Sequence, residues 1–168
     1  MLFRSVTNAT HAAPRLGFLL ALTGDGKTLL KGGVGMFYDR VPLMVPTFEH
    51  LPDRTVSILD ANGNVSSSTF YLNRLSRQLQ NPQSTSWNVA VERQVVAPLS
   101  VRVGYEQRNT TKVFVVSPIS EGNAGVLALT NIGRDSYQEF QVAARYQLPR
   151  FTLNGSYVRS REIGRAHV

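Results

Sequence analysis

Period-two alternation of apolar and polar residues, sustained over stretches of about ten residues, constrains this chain more than any other feature. Apolar side chains occupy every second position from residue 87 to 91 within the segment 84–94, and from residue 99 to 105 within the segment 99–108. The same alternation returns in residues 139–146 and 151–157. Successive side chains of a strand point to opposite faces of its sheet. The pattern therefore predicts strands with one apolar face and one wet, charged face, as a membrane-spanning barrel requires.

Short turns join the strands of each pair. The first pair, residues 15–22 and 28–38, turns around Asp25-Gly26, a dipeptide typical of hairpins. The second pair turns at residues 96–98 and the third at residues 148–150. Three hairpins in succession predict an all-β fold: a fragment of an antiparallel up-and-down transmembrane β-barrel, with about six strands.

Long polar segments separate the pairs. Residues 39–83 form the first and carry a small hairpin of their own around Asn62-Gly63. Residues 109–135 form the second, in which residues 112–116 could form an extended piece. In an up-and-down sheet, all short turns then lie on one side and all long loops on the other. Outer-membrane barrels have this asymmetry. A soluble antiparallel sheet with one solvated face would give the same alternation, although its strands are usually shorter.

Aromatic residues near the long-loop ends of the strands are the candidate membrane-interface residues, because aromatic girdles flank the apolar band of such barrels. They are Tyr38, Trp87, Tyr105, Phe140 and Tyr157.

Charged residues on the wet face of the strands are the candidate barrel-interior residues. They are Glu92, Arg102, Glu106, Glu139 and Arg145. Such residues could line a pore, or they could pair with one another and fill the interior of the barrel.

Composition narrows the function classes. The chain of 168 residues has a net charge of +7, from 18 Lys+Arg against 11 Asp+Glu, and no cysteine. Because the basic residues form no run, we expect no nucleic-acid partner, and the lack of cysteine excludes disulfides and thiolate metal sites. We find no grouping of serine, histidine and acid residues for catalysis. The sequence thus predicts neither an enzyme nor a bound cofactor or metal.

Both ends of the chain predict a fragment. The first residues show no apolar signal-peptide core, and six strands are too few to close a barrel. Residues 163–168 match the translation of a common short-read sequencing adapter. We therefore expect residues 1–162 to be part of a larger outer-membrane barrel and residues 163–168 to be non-native.

Several segments, in order, resemble the barrel of TonB-dependent-receptor-like outer-membrane proteins, and most of all the Oar-like branch. The segments that carry the resemblance are Ala13-Pro14-Arg15-Leu16-Gly17-Phe18, Gly24-Asp25-Gly26-Lys27-Thr28, Lys31-Gly32-Gly33-Val34-Gly35-Met36-Phe37-Tyr38-Asp39-Arg40, Gln80-Asn81-Pro82-Gln83-Ser84, Trp87-Asn88-Val89, Val103-Gly104-Tyr105, Ser136-Tyr137-Gln138 and Ser156-Tyr157-Val158-Arg159-Ser160. The resemblance implies a barrel of about 22 strands around an internal plug, in the outer membrane of a Gram-negative bacterium.

Three functions remain open on the sequence. The resemblance implies import of a bulky, unknown ligand, with outer-membrane lipid around the barrel and a TonB-type energy-coupling protein acting through missing N-terminal parts. A structural or adhesive outer-membrane protein without transport is the second possibility. A soluble antiparallel β-sheet binding module is the third.

Overall fold

The computed structural model describes residues 11–121 and 124–165. Residues 1–10 and 166–168, which hold the start of the predicted partial barrel and half of the adapter-like tail, lie outside the described residues. The elements are β1 (Arg15–Ala21), β2 (Thr28–Tyr38), α1 (Met44–Thr47), a 3₁₀ turn (Phe48–His50), β3 (Arg54–Leu59), β4 (Val65–Leu75), β5 (Gln83–Val96), β6 (Leu99–Glu121), β7 (Ala124–Leu148) and β8 (Phe151–Arg165).

Six of the strands form one antiparallel meander in the order β1-β2-β5-β6-β7-β8. Its three short-turn hairpins are those expected from the alternating pattern. Strand β2 pairs directly with β5, so that residues 39–82 are an insertion between neighbouring strands. The small hairpin expected in this insertion is also present as β3 and β4.

The prediction of about six strands and a purely antiparallel sheet is wrong. The sheet has eight strands, and β4 pairs with β7 in parallel, with Phe70 opposite Ala124 and Leu75 opposite Leu129. Strand β7 thus has two neighbours along one edge, β4 beside its first half and β8 beside its second half. Within the described residues the sheet does not close on itself.

The prediction of a loop at residues 109–135 is also wrong, because β6 and β7 continue through most of it. The extended piece expected at residues 112–116 is part of β6. Lys112 adopts a positive φ of 61°, and the pairing register shifts between Thr111 and Val113 and again between Val113 and Val115. Such bulges break the period-two alternation while the pairing continues. The sequence pattern therefore ends at the bulge, although the strand does not.

Gly133 pairs with Val113 inside this bulged region. A Cβ atom on Gly133 would lie 2.9 Å from the carbonyl oxygen of Val113 and 2.6 Å from Cγ2 of Val115. We expect Gly133→Ala to lower the free energy of unfolding by about 1–3 kcal/mol, because the backbone must move to admit the methyl group. Gly155→Ala is the control, since nothing lies within 4 Å of its Cβ position; equal losses in denaturant unfolding would contradict the expectation.

The hairpin ends are staggered along the sheet. The first hairpin ends at Thr28, which is level with Val101, whereas the second ends two residues further, at Leu99. The third ends at Leu148, two residues beyond the level of Leu99 and Tyr146. The ends thus advance one residue, about 3.3 Å, for each strand spacing of about 4.8 Å, which corresponds to a strand tilt of about 35°. Strands of closed membrane barrels tilt by about 35–45°.

The first of these turns carries a carboxylate held by local hydrogen bonds. Asp25 Oδ1 accepts a hydrogen bond from Thr23 Oγ1 at 2.6 Å and from the Lys27 amide at 3.1 Å. The Thr23 hydroxyl and then the Lys27 amide lower the pKa of Asp25. Because its pKa is lower in the folded than in the unfolded chain, the ionised Asp25 carboxylate stabilises the fold. This stabilisation is present above the unfolded-state pKa of about 3.9 and is lost as the pH falls through the folded-state pKa.

We therefore expect amide exchange at Lys27 to accelerate as the pH falls through the lowered pKa of Asp25, after correction for intrinsic rates. Asp25→Asn should abolish this step, because the side chain no longer titrates. An identical step in Asp25→Asn would show that another group is responsible.

The meander has almost no hydrophobic core of its own. Between the short turns and the bulge at Lys112, Ala90, at 6% exposure, is the one buried hydrophobic residue among the described residues of the six strands. The accessible surface is 12619 Å², against about 8,200 Å² for a compact monomer of 18.6 kDa. Much of the excess is apolar, since Leu16, Phe18 and Leu20 are each about half exposed or more.

The main core lies in the loop region instead. Val45, Leu79 and Leu129 are 3%, 8% and 7% exposed and form one cluster, against which Phe48 and Phe114 pack. We call this region the cap: residues 39–82 together with residues 112–121 and 124–133. Asn73 fixes it further, because its Nδ2 donates to the carbonyl oxygens of Leu51 and Pro52. The long loops are thus a packed unit on one side of the meander.

Candidate functional site

The five predicted interior residues share one face of the meander, which we call the polar face. Residues directly opposite each other on paired strands point to the same side of a sheet. Glu92 lies opposite Arg102, Glu106 lies opposite Glu139, and Arg145 lies opposite Ser100.

Glu92 forms an ion pair with a residue that sequence reasoning missed. Its Oε2 accepts from Lys31 Nζ at 2.5 Å, between side chains that are about two-fifths exposed. Lys31 is 61 positions away in sequence and lies opposite Ala90, the polar-face neighbour of Glu92. The alternation of apolar Leu30 and charged Lys31 in the sequence could have assigned Lys31 to the polar face. Only the pairing of β2 with β5 shows that Lys31 lies next to Glu92.

Glu106 and Glu139 face each other across β6 and β7, although like charges in this position repel. Each carboxylate instead accepts a hydrogen bond from a neutral hydroxyl group. Ser86 Oγ donates to Glu106 at 3.4 Å, and the Tyr137 hydroxyl donates to Glu139. The Arg108 guanidinium lies 5.2 Å from the centre of the Tyr137 ring. This arrangement presents carboxylate oxygens that can accept hydrogen bonds or attract cations.

Shallow cavities connect the predicted residues. One of about 240 Å³ near the short turns is lined by Lys27, Glu92 and Arg145, and a second of about 310 Å³ is lined by Glu92, Arg102 and Arg145. A third, of about 160 Å³, joins Arg102 to Glu106 and Glu139. The structure thus brings all five predicted residues into one continuous strip of mixed charge.

No cluster of three or more His, Cys, Asp or Glu residues suited to a metal ion occurs in residues 11–121 and 124–165. The strip is a polar surface that carries charges of both signs.

The opposite side of the meander is the apolar face, and all five predicted interface aromatics lie on it. Trp87 and Tyr105 are in contact, with ring centres 5.3 Å apart, and Tyr105 lies directly opposite Phe140. Tyr157 lies opposite Val142, one outward-facing position nearer the short turns than Phe140. From β5 to β8 the aromatic positions therefore move step by step towards the short turns, in the same direction as the staggered hairpin ends. Because the strands of a barrel are tilted, such a row lies at one height along the barrel axis.

Tyr38, the fifth predicted interface residue, shares the apolar face at the loop-side end of β2. Its ring stacks on His11 with a centre-to-centre distance of 4.2 Å. Tyr38 is the last residue of its strand, and its role at a membrane interface stays a prediction.

Among the described residues, no helix is both long enough and apolar enough to cross a membrane.

Comparison with known proteins identifies the fold. The family described as "Outer membrane beta barrel domain" matches residues 4–165, nearly the whole chain. Among solved structures, the chain is similar to the outer membrane transporter YddB from Escherichia coli, with a TM-score of 0.62 and 13% sequence identity. The match covers 89% of this chain and 20% of that one, so that the chain spans about a fifth of the length of the transporter. No curated protein matches the sequence.

A family match of this extent explains the exposed apolar face, the tilted strands and the aromatic row together: the chain belongs to the outer-membrane β-barrel family and is located in the outer membrane.

Proposed function

We propose that this chain is part of the wall of a TonB-dependent receptor of the Oar-like branch, which imports a bulky ligand across the outer membrane. The observation that carries the proposal is the strip of mixed charge on the polar face. It lies on the side of the meander opposite the apolar face, and the fold resembles part of an outer-membrane transporter. The expectations that the chain has no enzymatic activity and binds no nucleic acid belong to the same proposal.

In this proposal the cap faces the exterior, because long loops of outer-membrane barrels are extracellular. Loops on a rigid scaffold usually carry recognition, and the cap is a loop region with a core of its own. The ligand would first contact the cap and then pass the strip that runs from Glu106 and Glu139 to Arg145.

A TonB-type energy-coupling protein would act through parts of the full-length protein N-terminal to this chain. The direct test uses cells that express the full-length protein, with and without the coupling protein. The probes are fluorescently labelled peptides, oligosaccharides and metal chelates too large for general porins. We expect at least one probe to accumulate only when both proteins are present.

Two other outcomes would overturn the proposal. Accumulation that persists without the coupling protein would reject energy-coupled import. Binding of probes or surfaces at the cell exterior, without accumulation of any probe, would instead assign the structural or adhesive function. The ordered cap is the observation that favours this second candidate.

Single cysteine substitutions can test separately which face is exposed to water, because the chain itself has no cysteine. Arg102→Cys on the polar face should react with a membrane-impermeant maleimide in opened outer-membrane vesicles. Val103→Cys, the next residue of the same strand, should resist the reagent, because it faces lipid. Equal labelling of both would contradict the assignment of the two faces.

A further inference from the structure

The short-turn end of the polar face holds a cavity that is lined by two arginines. The cavity has a volume of about 310 Å³, and its charged residues are Glu92, Arg102 and Arg145. The rest of its lining consists of small or aliphatic residues and of three neutral polar residues, Ser100, Asn154 and Ser156. The site therefore offers guanidinium, hydroxyl and amide groups around one open space.

The two arginines lie close to each other, and no carboxylate is bound to either. Arg102 lies opposite Ala143, which is two positions before Arg145 along β7, so that the arginines are diagonal neighbours on paired strands. Diagonal neighbours on one face of a sheet are within reach of long side chains. Neither arginine forms a salt bridge within residues 11–121 and 124–165, and both are exposed. Both guanidinium groups are thus available to an anion that enters the cavity.

Glu92, the one carboxylate of the cavity lining, already has a partner. It lies opposite Arg102, but its Oε2 accepts a hydrogen bond from Lys31 Nζ at 2.5 Å. The three cations Lys31, Arg102 and Arg145 stand against this single carboxylate, which leaves an excess of positive charge. Because Lys31 neutralises Glu92, the charge of the two arginines is not compensated within the cavity.

The other carboxylates near this end of the meander lie outside the cavity. Glu106 is four residues from Arg102 along β6, which is about 13 Å in a strand, and Glu139 lies opposite Glu106. A separate cavity reaches from Arg102 to both, but no salt bridge joins them among the described residues. At the first short turn, Asp25 Oδ2 lies 3.8 Å from Lys27 Nζ. The excess of positive charge is therefore confined to the surroundings of the two arginines.

We propose that this cavity binds the carboxylate or phosphate group of a solute inside the barrel, close to its periplasmic end. Guanidinium groups bind both oxyanions through paired hydrogen bonds, and Ser100, Asn154 and Ser156 can donate to the remaining oxygens. The short turns of outer-membrane barrels are periplasmic, so that the site lies at that end. The inference names a class of solute for the proposed import function and rests on the polar face being the barrel interior, but anion binding can be measured without energy coupling.

Protection from an arginine reagent tests the site residue by residue. The purified full-length protein in mild detergent is treated with phenylglyoxal, and modification of each arginine is followed by mass spectrometry of chymotryptic peptides. The probes are citrate and pyrophosphate, with sodium chloride at equal ionic strength as the reference. We expect at least one probe to slow the modification of Arg102 and Arg145 by about threefold or more, because a bound oxyanion occupies both guanidinium groups. The probe that protects at the lower concentration distinguishes a carboxylate ligand from a phosphate ligand.

Two variants of the ion pair give the test a predicted sign. Lys31→Gln leaves Glu92 free to pair with Arg102, so that the probe concentration for half protection of Arg145 should rise about threefold or more. Glu92→Gln removes the competing carboxylate, so that the same concentration should fall. Both substitutions break one and the same ion pair, and a purely structural effect would therefore change protection in the same direction in both variants.

The arginines themselves supply a variant and a control. In Arg102→Gln, the probe concentration for half protection of Arg145 should rise roughly tenfold, because hydrogen bonds to a charged group are lost. Arg150 is exposed in the third short turn and does not line the cavity. Its rate of modification should be the same with and without the probes.

Several results would overturn the proposal. They are protection no greater than that given by sodium chloride, equal protection of Arg150, and a change in the same direction in both ion-pair variants. Resistance of Arg102 and Arg145 to phenylglyoxal without any probe would also overturn it, because another part of the full-length protein would then cover the site. Energy-coupled import in cells is compatible with each of these results, so that the two proposals fail separately.

Discussion

Replacing Val142 with arginine is expected to lower the free energy of unfolding in the membrane by about 2–4 kcal/mol, because it places a charge on the lipid face near the middle of the apolar band. Val142 lies between Val103 on one side and Tyr157 on the other, in the row next to the aromatic residues. The measurement is the denaturant midpoint of the full-length protein folded into phospholipid vesicles. The equilibrium constant for folding into the membrane should fall by between about thirtyfold and a thousandfold.

Gln141→Arg is the matched control, because it adds the same side chain at the preceding position, on the polar face. Gln141 lies opposite Gly104 and Val158 and borders the cavity that contains Glu106 and Glu139. Nearby carboxylates and water make a cation acceptable there, and we expect a change of less than about 1 kcal/mol. Equal destabilisation by the two variants would show that the apolar face does not contact lipid.

Truncating Leu129 to alanine is expected to cost about 2–5 kcal/mol of local stability, because it empties part of a small core. Leu129 is 7% exposed, packs with Val45 and Leu79, and lies opposite Leu75 where β4 joins β7. The loss should open the cap while leaving the meander paired. The described residues of the meander outside the cap do not belong to this cluster. Hydrogen exchange should therefore accelerate in β3 and β4 but not in β5.

Leu43→Ala is the matched control for this experiment. Leu43 lies in the same insertion and loses the same atoms, but it is 89% exposed. Its truncation should leave exchange in β3 and β4 within about twofold of the wild-type rates. Faster exchange throughout β5 in Leu129→Ala would mean that cap and meander unfold as one unit.

These two predictions separate the two sources of stability in this chain. In the meander, apolar side chains face outward and gain from lipid rather than from one another. In the cap, apolar side chains face one another and gain from exclusion of water. The large accessible surface of 12619 Å² follows from the first arrangement, because the apolar face has no protein partner among the described residues.

The local features of this fold were predictable from sequence, since they depend on neighbouring residues. Alternation within ten residues was sufficient to assign the two faces, and Asp25-Gly26 and Asn62-Gly63 were sufficient to place two turns. Gly26 and Gly63 indeed adopt positive φ values of 65° and 83°. The five charged residues were assigned to one face for the same reason, and the pairing register places them there.

The long-range features could not be predicted in this way. The bulge at Lys112 ends the visible alternation, so that the extensions of β6 and β7 resembled a loop, and the parallel partner of β7 was hidden with them. Pairing between distant strands decides which polar residues meet: it joins Lys31 to Glu92 and sets Glu106 against Glu139.

The sequence alone thus determined the all-β fold, the hairpins and the two faces, because period and turn chemistry act within one strand or one turn. Only the tertiary structure decided the parallel β4–β7 pairing, the packed cap, and the ion pair between Lys31 and Glu92. Each of these depends on the register between strands that are far apart in sequence, and the alternating pattern carries no information about that register.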